Sequence, residues 1–364
     1  MWTIEEYKDE LFSNIDNYIG RGSLLYSPLQ TSVWYKFISK YNQNVGYKTY
    51  ILYNNEWKIP FIFQTSPVKS GFYLWGRHLP VPEDMVLTIK SGDKLNMSGF
   101  LNDLREGVEL LKETNAFWVS LQFRVPCNVI NDLEHKYFCE LNTRNYFDVR
   151  NLRINGYYRS AMHDYDFEDT VIIDLQKELK FSSSTRRYYK KAIKQGLMVV
   201  ESDNIKPLVK MLDLTAKRKK YREVSSKYLI DKWLIFSKSK MVRLFYVKKD
   251  NRFIYGALYL GDKDYIVYNH GGGLTEYLHY NPAYLLHGYV ISKLSEQGYK
   301  YFDFGGVGGY DKSHPLYANS QIKYRFGGER MNFMHTVDYP FKKLMWGMWY
   351  AKTFVRNYKS GWYN

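Results

Sequence analysis

Apolar residues recur at two distinct periods along the chain, and the switch between them divides it into helices and strands. Helical spacing predicts helices over 3–19 and 30–41, followed by two paired strands, KTYILY and WKIPFIFQ, joined by an Asn54-Asn55 turn. The helical period returns over 98–114. The apolar strand AFWVSLQF, a helix around 129–142 and a strand near 145–154 come next. Residues 155–168 show no clear period and read as a bridge between domains.

A similar order then repeats. TVIIDL predicts a strand, and SSSTRRYYKKAIKQG predicts a helix with a serine N-cap and Gly196 as its stop. LMVVES is a strand, followed by helices near 205–219 and 226–238. MVRLFYVKK, RFIYGALYLG and DYIVYNH predict a meander with turns at Asp250-Asn251 and Gly261–Lys263. Asn281-Pro282 opens a helix in which Leu286, Val290 and Leu294 recur every fourth residue, and Gly298 ends it. YKYFDF is a buried strand, and a Gly-rich loop, a short helix, a strand near 331–338 and a helix from Phe341 complete the chain. Each half therefore runs helices, antiparallel strands, helix, strand, helix, strand. That order resembles the Gcn5-related acyltransferase (GNAT-like) fold, present twice. The expected class is α+β, with two tandem GNAT-like domains of mixed, largely antiparallel sheets flanked by helices. Their expected bounds are 1–154 for acceptor binding and 155–340 for catalysis, with a closing helix over 341–364.

With 364 residues, of which 45% are hydrophobic, the chain has material for two cores. Lys plus Arg number 52 against 37 for Asp plus Glu, a net charge of +15. That surplus favours polyanionic partners such as RNA, a nucleotide diphosphate or an anionic membrane face; a merely basic surface accounts for it equally. Cys127 and Cys139 are the two cysteines, with no CxxC and no histidine cluster at metal-ligand spacing. Neither a disulfide framework nor a structural metal is expected, and a reducing cytoplasm is the natural compartment. The start, MWTIEEYKDELF, is acidic and amphipathic, unlike a signal peptide. No apolar stretch approaches the roughly 20 residues of a membrane span, so any contact with the inner face of a membrane would be peripheral.

Three stretches carry a family resemblance. FSSSTRRYYKKAIKQGLMVV pairs basic residues with a KA pair, a glycine and an apolar strand. YNHGGGLTEYLHYNPAYLLHGYVI joins a tyrosine-ended strand to a glycine turn and a helix after proline. YFDFGGVGGYDKSHPLYANSQIKYRFGGE sets a DFGG loop before a lysine and FGG. In this order they resemble the Fem family, aminoacyltransferases that build peptide branches on cell-wall precursors from charged tRNA. The first half matches chiefly through QTSVWYK, which ends at Lys36. The chain departs from the family pattern at Ala318, which follows Leu316-Tyr317 where glycine is usual, and at Val224, where an arginine is usual and Arg222 stands two residues away. It also lacks a coiled-coil arm.

The resemblance implies attack by a primary amine on the ester carbonyl of an aminoacyl-tRNA, the acceptor being a UDP- or lipid-linked muropeptide. The ester is already activated, so no ATP, metal or redox cofactor is implied. What is needed is to hold the reactants together and stabilise the oxyanion. Lys323, the lysine before FGG, is implied as that donor; taken alone it reads as a solvated lysine beside Arg325. Tyr268, ending a strand, is implied to bond a phosphate, a ribose oxygen or the attacking amine, or else it is core packing. Asp303 ends a strand where catalytic groups often sit, or simply bonds the following glycine turn. Lys36, Tyr228 and Arg222 are implied to hold the precursor.

The helix from Ser183 sets Arg186, Lys190 and Lys194 on one face with Arg187 and Lys191 alongside, a face for the tRNA acceptor stem or a solvated surface. GGVGGYDKS is no Walker A loop, since Asp311 rather than glycine precedes Lys312 and Pro315 follows closely. The competing reading is a GNAT-like enzyme that uses acyl-CoA on a polysaccharide or other amine; NHGGGLTEYLHYNP lacks the Gln/Arg-x-x-Gly-x-Gly/Ala pattern of such enzymes. The C-terminal helix, rich in Lys and aromatic residues, either packs on its own protein or rests on an anionic membrane.

Overall fold

The computed structural model describes residues 1–8, 16, 23–139, 153–161, 168–219, 224–308, 312, 314 and 316–360. They fall into two compact units, each built on one sheet.

The first unit comprises Met1–Asp169, Gly306–Ala318 and Met331–Asn364. Its strands are β1 (Trp2–Glu6), β2 (Thr49–Asn54), β3 (Pro60–Val68), β4 (Gly71–Leu79), β5 (Trp118–Phe123), β6 (Arg153–Ile154), β7 (Tyr157–Arg159) and β15 (Val337–Pro340), in the order β1-β2-β3-β4-β5-β15-β7-β6. Its helices are α1 (Ser32–Asn44), α2 (Glu83–Ser91), α3 (Met97–Leu110), α4 (Asp132–Phe138) and α10 (Lys343–Lys359). The meander β2–β3–β4 is antiparallel; α3 then crosses over and β5 runs parallel to β4. Leu52, Phe61, Phe63 and Val119 pack with Leu101, Leu104 and Val108 of α3. On a second cluster, Tyr73 and Trp118 meet Trp346, Tyr350 and Phe354 of α10. Each such side chain contributes about 2 kcal/mol by burial.

The second unit comprises Thr170–Gly305 and Asn319–Arg330. Its strands are β8 (Asp169–Asp174), β9 (Met198–Glu201), β10 (Val242–Lys249), β11 (Arg252–Gly261), β12 (Tyr265–Gly273), β13 (Tyr301–Gly306) and β14 (Glu329–Asn332), in the order β14-β8-β13-β12-β11-β10-β9. Its helices are α5 (Ser183–Lys194), α6 (Lys206–Lys219), α7 (Ser226–Lys238), α8 (Pro282–Glu296) and α9 (Tyr317–Tyr324). Again an antiparallel meander, β10–β11–β12, is followed by a helix, α8, and a strand parallel to the last of the meander. The repeat of element order is therefore a repeat of sheet topology, and the class is α+β as expected.

Several expectations are corrected. Residues 2–6 form a strand where helical spacing predicts a helix over 3–19, because their backbone pairs with β2 from Trp2 against Asn54 to Glu6 against Tyr50. Trp2 is fixed there by Trp57 and Phe61, with ring centroids 5.0 and 6.0 Å away. β4 and α2 have no predicted counterpart; β4 is buried at positions of both parities, so it shows no alternation. The single strand expected near 331–338 is two, β14 and β15, which join different sheets. β15 lies between β5 and β7, so the first unit recovers residues beyond 330 and the predicted bounds 155–340 and 341–364 do not follow the compact units. Residues 155–168 supply β7 rather than only a bridge. The helix around 129–142 is α4, and most of the strand near 145–154 lies outside the described residues.

Cys127 and Cys139 are paired as a disulfide, against the expectation that none would form. The reason is local. Asn131 caps α4 through Leu133 N–H, and α4 carries Cys139 back over the turn that opens at Cys127. His135, one helical turn before Cys139, has a ring nitrogen within 4.8 Å of both sulfurs. No helix among the described residues is long and apolar enough to cross a membrane.

Candidate active site

The second sheet opens at its parallel pair. β12 and β13 are paired only from Tyr265 against Tyr301 to Val267 against Asp303. Beyond that point the strands run on, to Gly273 and Gly306, without facing each other. On its other side β12 is bulged: Leu258 faces His270 and Tyr259 faces Tyr268, leaving Asn269 as the extra residue. Cross-strand partners share a face, so Tyr268 projects with Tyr259 and His270 projects to the opposite side with Leu258.

Lys323 stands near the end of α9, half-buried, and donates from Nζ to the carbonyl of Gly305 at 3.3 Å. Its ammonium lies 5.9 Å from the centre of the Tyr268 ring. Tyr268 folds back over the strand so closely that a Cβ on Gly271 would fall 2.3 Å from its hydroxyl. That hydroxyl bonds Tyr255. His287 of α8 meets the ring edge-on, centroids 4.7 Å apart, and its Nδ1 pairs with the Tyr259 hydroxyl at 3.0 Å. Burial, and then the charge of Lys323, push the His287 imidazole down to about 3, so it is neutral at any ordinary pH.

The FGG that follows Lys323 has a steric reason for its composition. Phe326 is fully buried and stacks near Phe304 and Tyr284. Gly327 has φ +83, and a Cβ there would lie 2.2 Å from the carbonyl of Lys180. The turn so formed also receives α5: Ser182 N–H and the Thr185 hydroxyl both donate to the carbonyl of Arg325, at 2.9 and 3.0 Å.

Asp303 is 1% exposed, and its carboxylate accepts from the hydroxyls of Thr170 and Tyr265 and from Gly305 N–H. It ties the end of β13, next to the carbonyl that Lys323 uses, to Thr170 and Tyr265. Arg186, Arg187, Lys190, Lys191 and Lys194 are all exposed, while Thr185 and Ala192 face inward and Tyr189 packs on Gly288 of α8. Tyr228 is half-buried on α7. Lys36 is exposed on α1 of the first unit, and Arg222 lies outside the described residues.

One group escapes the reading of the sequence. Lys232 is 2% exposed and donates to Asn269 Oδ1 at 2.9 Å and to His270 Nε2 at 3.2 Å. It also sits 4.6 Å over the Tyr228 ring. Desolvation, then the Lys232 charge, hold His270 well below the usual histidine range. The signal is present in the chain: Leu229, Lys232, Trp233 and Phe236 form one helical stripe, a lysine inside an apolar face. Cations thus flank both faces of the bulged strand, Lys323 beside Tyr268 and Lys232 beside His270.

Residues 180–314 match the family model for an acetyltransferase (GNAT) domain. No curated protein sequence matches the chain. Among solved structures, the crystal structure of FemX is similar with a TM-score of 0.70 at 14% identity, covering 95% of this chain and 99% of that one. A conserved protein of unknown function from Bacteroides thetaiotaomicron VPI-5482 follows at 0.51 and 9% identity, covering 93% and 99%. The fold is therefore that of FemX over nearly the whole chain, as the Fem-like motifs implied.

Proposed function

We propose that the protein is an acyltransferase of the Fem type, moving an aminoacyl group from aminoacyl-tRNA to the side-chain amine of a peptidoglycan-precursor stem peptide. The observation that carries this reading is Lys323, a fixed cation at the opening between β12 and β13, held on the Gly305 carbonyl beside Tyr268. In the reaction the amine nitrogen bonds to the ester carbonyl carbon. The carbonyl oxygen carries the transient negative charge, and the ribose oxygen leaves with the proton that the amine gives up. Lys323 stabilises the oxyanion, and Tyr268 orients the amine or the ribose. The exposed cations of α5, whose first turn is tied to Arg325, receive the acceptor stem. Tyr228 and Arg222 hold the precursor's anionic part, with the buried Lys232 ammonium placed over the Tyr228 ring. Because the donor is a charged tRNA, the reaction belongs to the cytoplasm.

A second reading has one observation in its favour, the match of residues 180–314 to an acetyltransferase domain: acyl-CoA as donor to an amine on a polysaccharide or another acceptor. One experiment separates them. The protein is incubated with a nucleotide-linked muropeptide and either a charged-tRNA mixture or acyl-CoA, and the products are weighed by mass spectrometry. An aminoacyl mass increment with tRNA alone is the expected result; an acyl increment with acyl-CoA alone would replace the first reading with the second.

A further inference from the structure

α10 has one face that the fold does not use. Trp346, Tyr350, Thr353 and Phe354 are buried in the first unit. Leu344, Met348, Ala351, Val355 and Tyr358 follow at alternating spacings of four and three, which at about 100° per residue gives a single stripe. The stripe is open to solvent: Leu344 is 76% exposed, Met348 54%, Val355 48% and Tyr358 59%. Lys343, Lys352, Arg356 and Lys359 are exposed on the same helix, which contains no Asp or Glu. Among the described residues none of these four cations has a carboxylate within ion-pair reach.

Four large apolar side chains in one line are more than scattered surface exposure. Their spacing would suit a second copy of the chain, but that copy would bring the same cations against these, with no acidic residue on the helix to offset them. A surface that is apolar beneath and negative above satisfies both halves of the pattern. We infer that the outer face of α10 docks the protein on an anionic membrane, lying in the plane of the interface. The stripe enters the boundary between headgroups and acyl chains, and the lysines and arginine reach the lipid phosphates. The aromatic face stays in the core of the first unit, so docking needs no unfolding. This inference does not depend on which acyl donor the enzyme uses.

Sedimentation of the full chain with vesicles tests it, comparing phosphatidylcholine alone with phosphatidylcholine plus phosphatidylglycerol. The protein is expected on the anionic vesicles, with binding roughly fivefold weaker for each cation removed in Lys352→Gln and Arg356→Gln. The net charge of +15 would itself draw the chain to anionic lipid, so the decisive variant is Leu344→Ser with Met348→Ser. It should lower partitioning by at least about tenfold at an unchanged melting temperature. Equal partitioning of that variant and the parent, or no preference for the anionic vesicles, overturns the inference. So does a concentration-dependent dimer that the same serines abolish in a protein that ignores vesicles.

Discussion

The hydroxyl of Thr185 donates to the carbonyl of Arg325 at 3.0 Å, tying the first turn of the most basic helix to the residue two places after Lys323. The Ser182 N–H reaches the same oxygen at 2.9 Å. The start of α5 is thereby tied to the turn that follows Lys323 through two direct hydrogen bonds.

If α5 receives RNA, Lys190→Glu together with Lys194→Glu should weaken binding of charged tRNA and lower the slope of log affinity against log salt by about 1 for each phosphate no longer neutralised. Both side chains are exposed and α5 packs through Thr185, Ala192 and Tyr189, so the fold should persist. Filter binding over a salt series reads this directly. An unchanged slope would make α5 a solvated face.

Lys323→Met should lower kcat by about 100- to 1,000-fold, the usual loss for one oxyanion donor, with little change in acceptor affinity. Methionine keeps most of the stem volume, so the melting temperature should hold within a few degrees. Initial rates and acceptor titration separate the two effects. Retained turnover would return Lys323 to the role of a packing lysine.

Why the second unit is more legible in the sequence than the first follows from particular residues. Tyr265, Phe302 and Leu286 lie in apolar runs bounded by turn residues, and their elements are buried on both faces or nearly all round, so run and burial agree. β1 is illegible because its five residues gain their backbone partners from β2, some fifty residues away, which no local period records. β4 escapes because both of its faces carry buried residues while Gly76, Arg77 and His78 interrupt its apolar run. The role of Lys232 depends on the bulge at Asn269, a register feature invisible in composition. The glycines of NHGGG lack a phosphate-loop pattern, and their reason appears only in space: Gly271 makes room for Tyr268 and Gly273 for Tyr255.

The Cys127–Cys139 pair makes a sharp test because the sequence argues against it. Under denaturing conditions without reductant the protein should show no titratable thiol, and two after reduction. Closing a loop of this length is worth about 3 kcal/mol, so reduced protein should unfold at lower urea. Two free thiols in the protein as purified would reject the pairing.

His287 links the site to acid stability. Its imidazole titrates at about 3 in the folded chain, held there first by burial and then by Lys323, while the unfolded chain takes up a proton near 6.5. Between those values the unfolded state binds more protons. Stability therefore rises with pH through that window, is complete above about 6.5, and is lost as pH falls toward about 3. The slope from this one group approaches about 1.4 kcal/mol per pH unit in mid-window. His270 and His335, also lowered by burial first, add slopes of the same sign. His287→Asn keeps a polar atom near the Tyr259 hydroxyl and removes the titration, so urea unfolding at about pH 7 and about pH 5 should differ less than in the parent. In Lys323→Met the second cause of the depression is gone, the folded-state value should rise, and the acid loss, which still begins near 6.5, should end at a higher pH for a smaller total effect. A His287→Asn protein with the parent's pH slope would mean that His287 is not the group that titrates on unfolding.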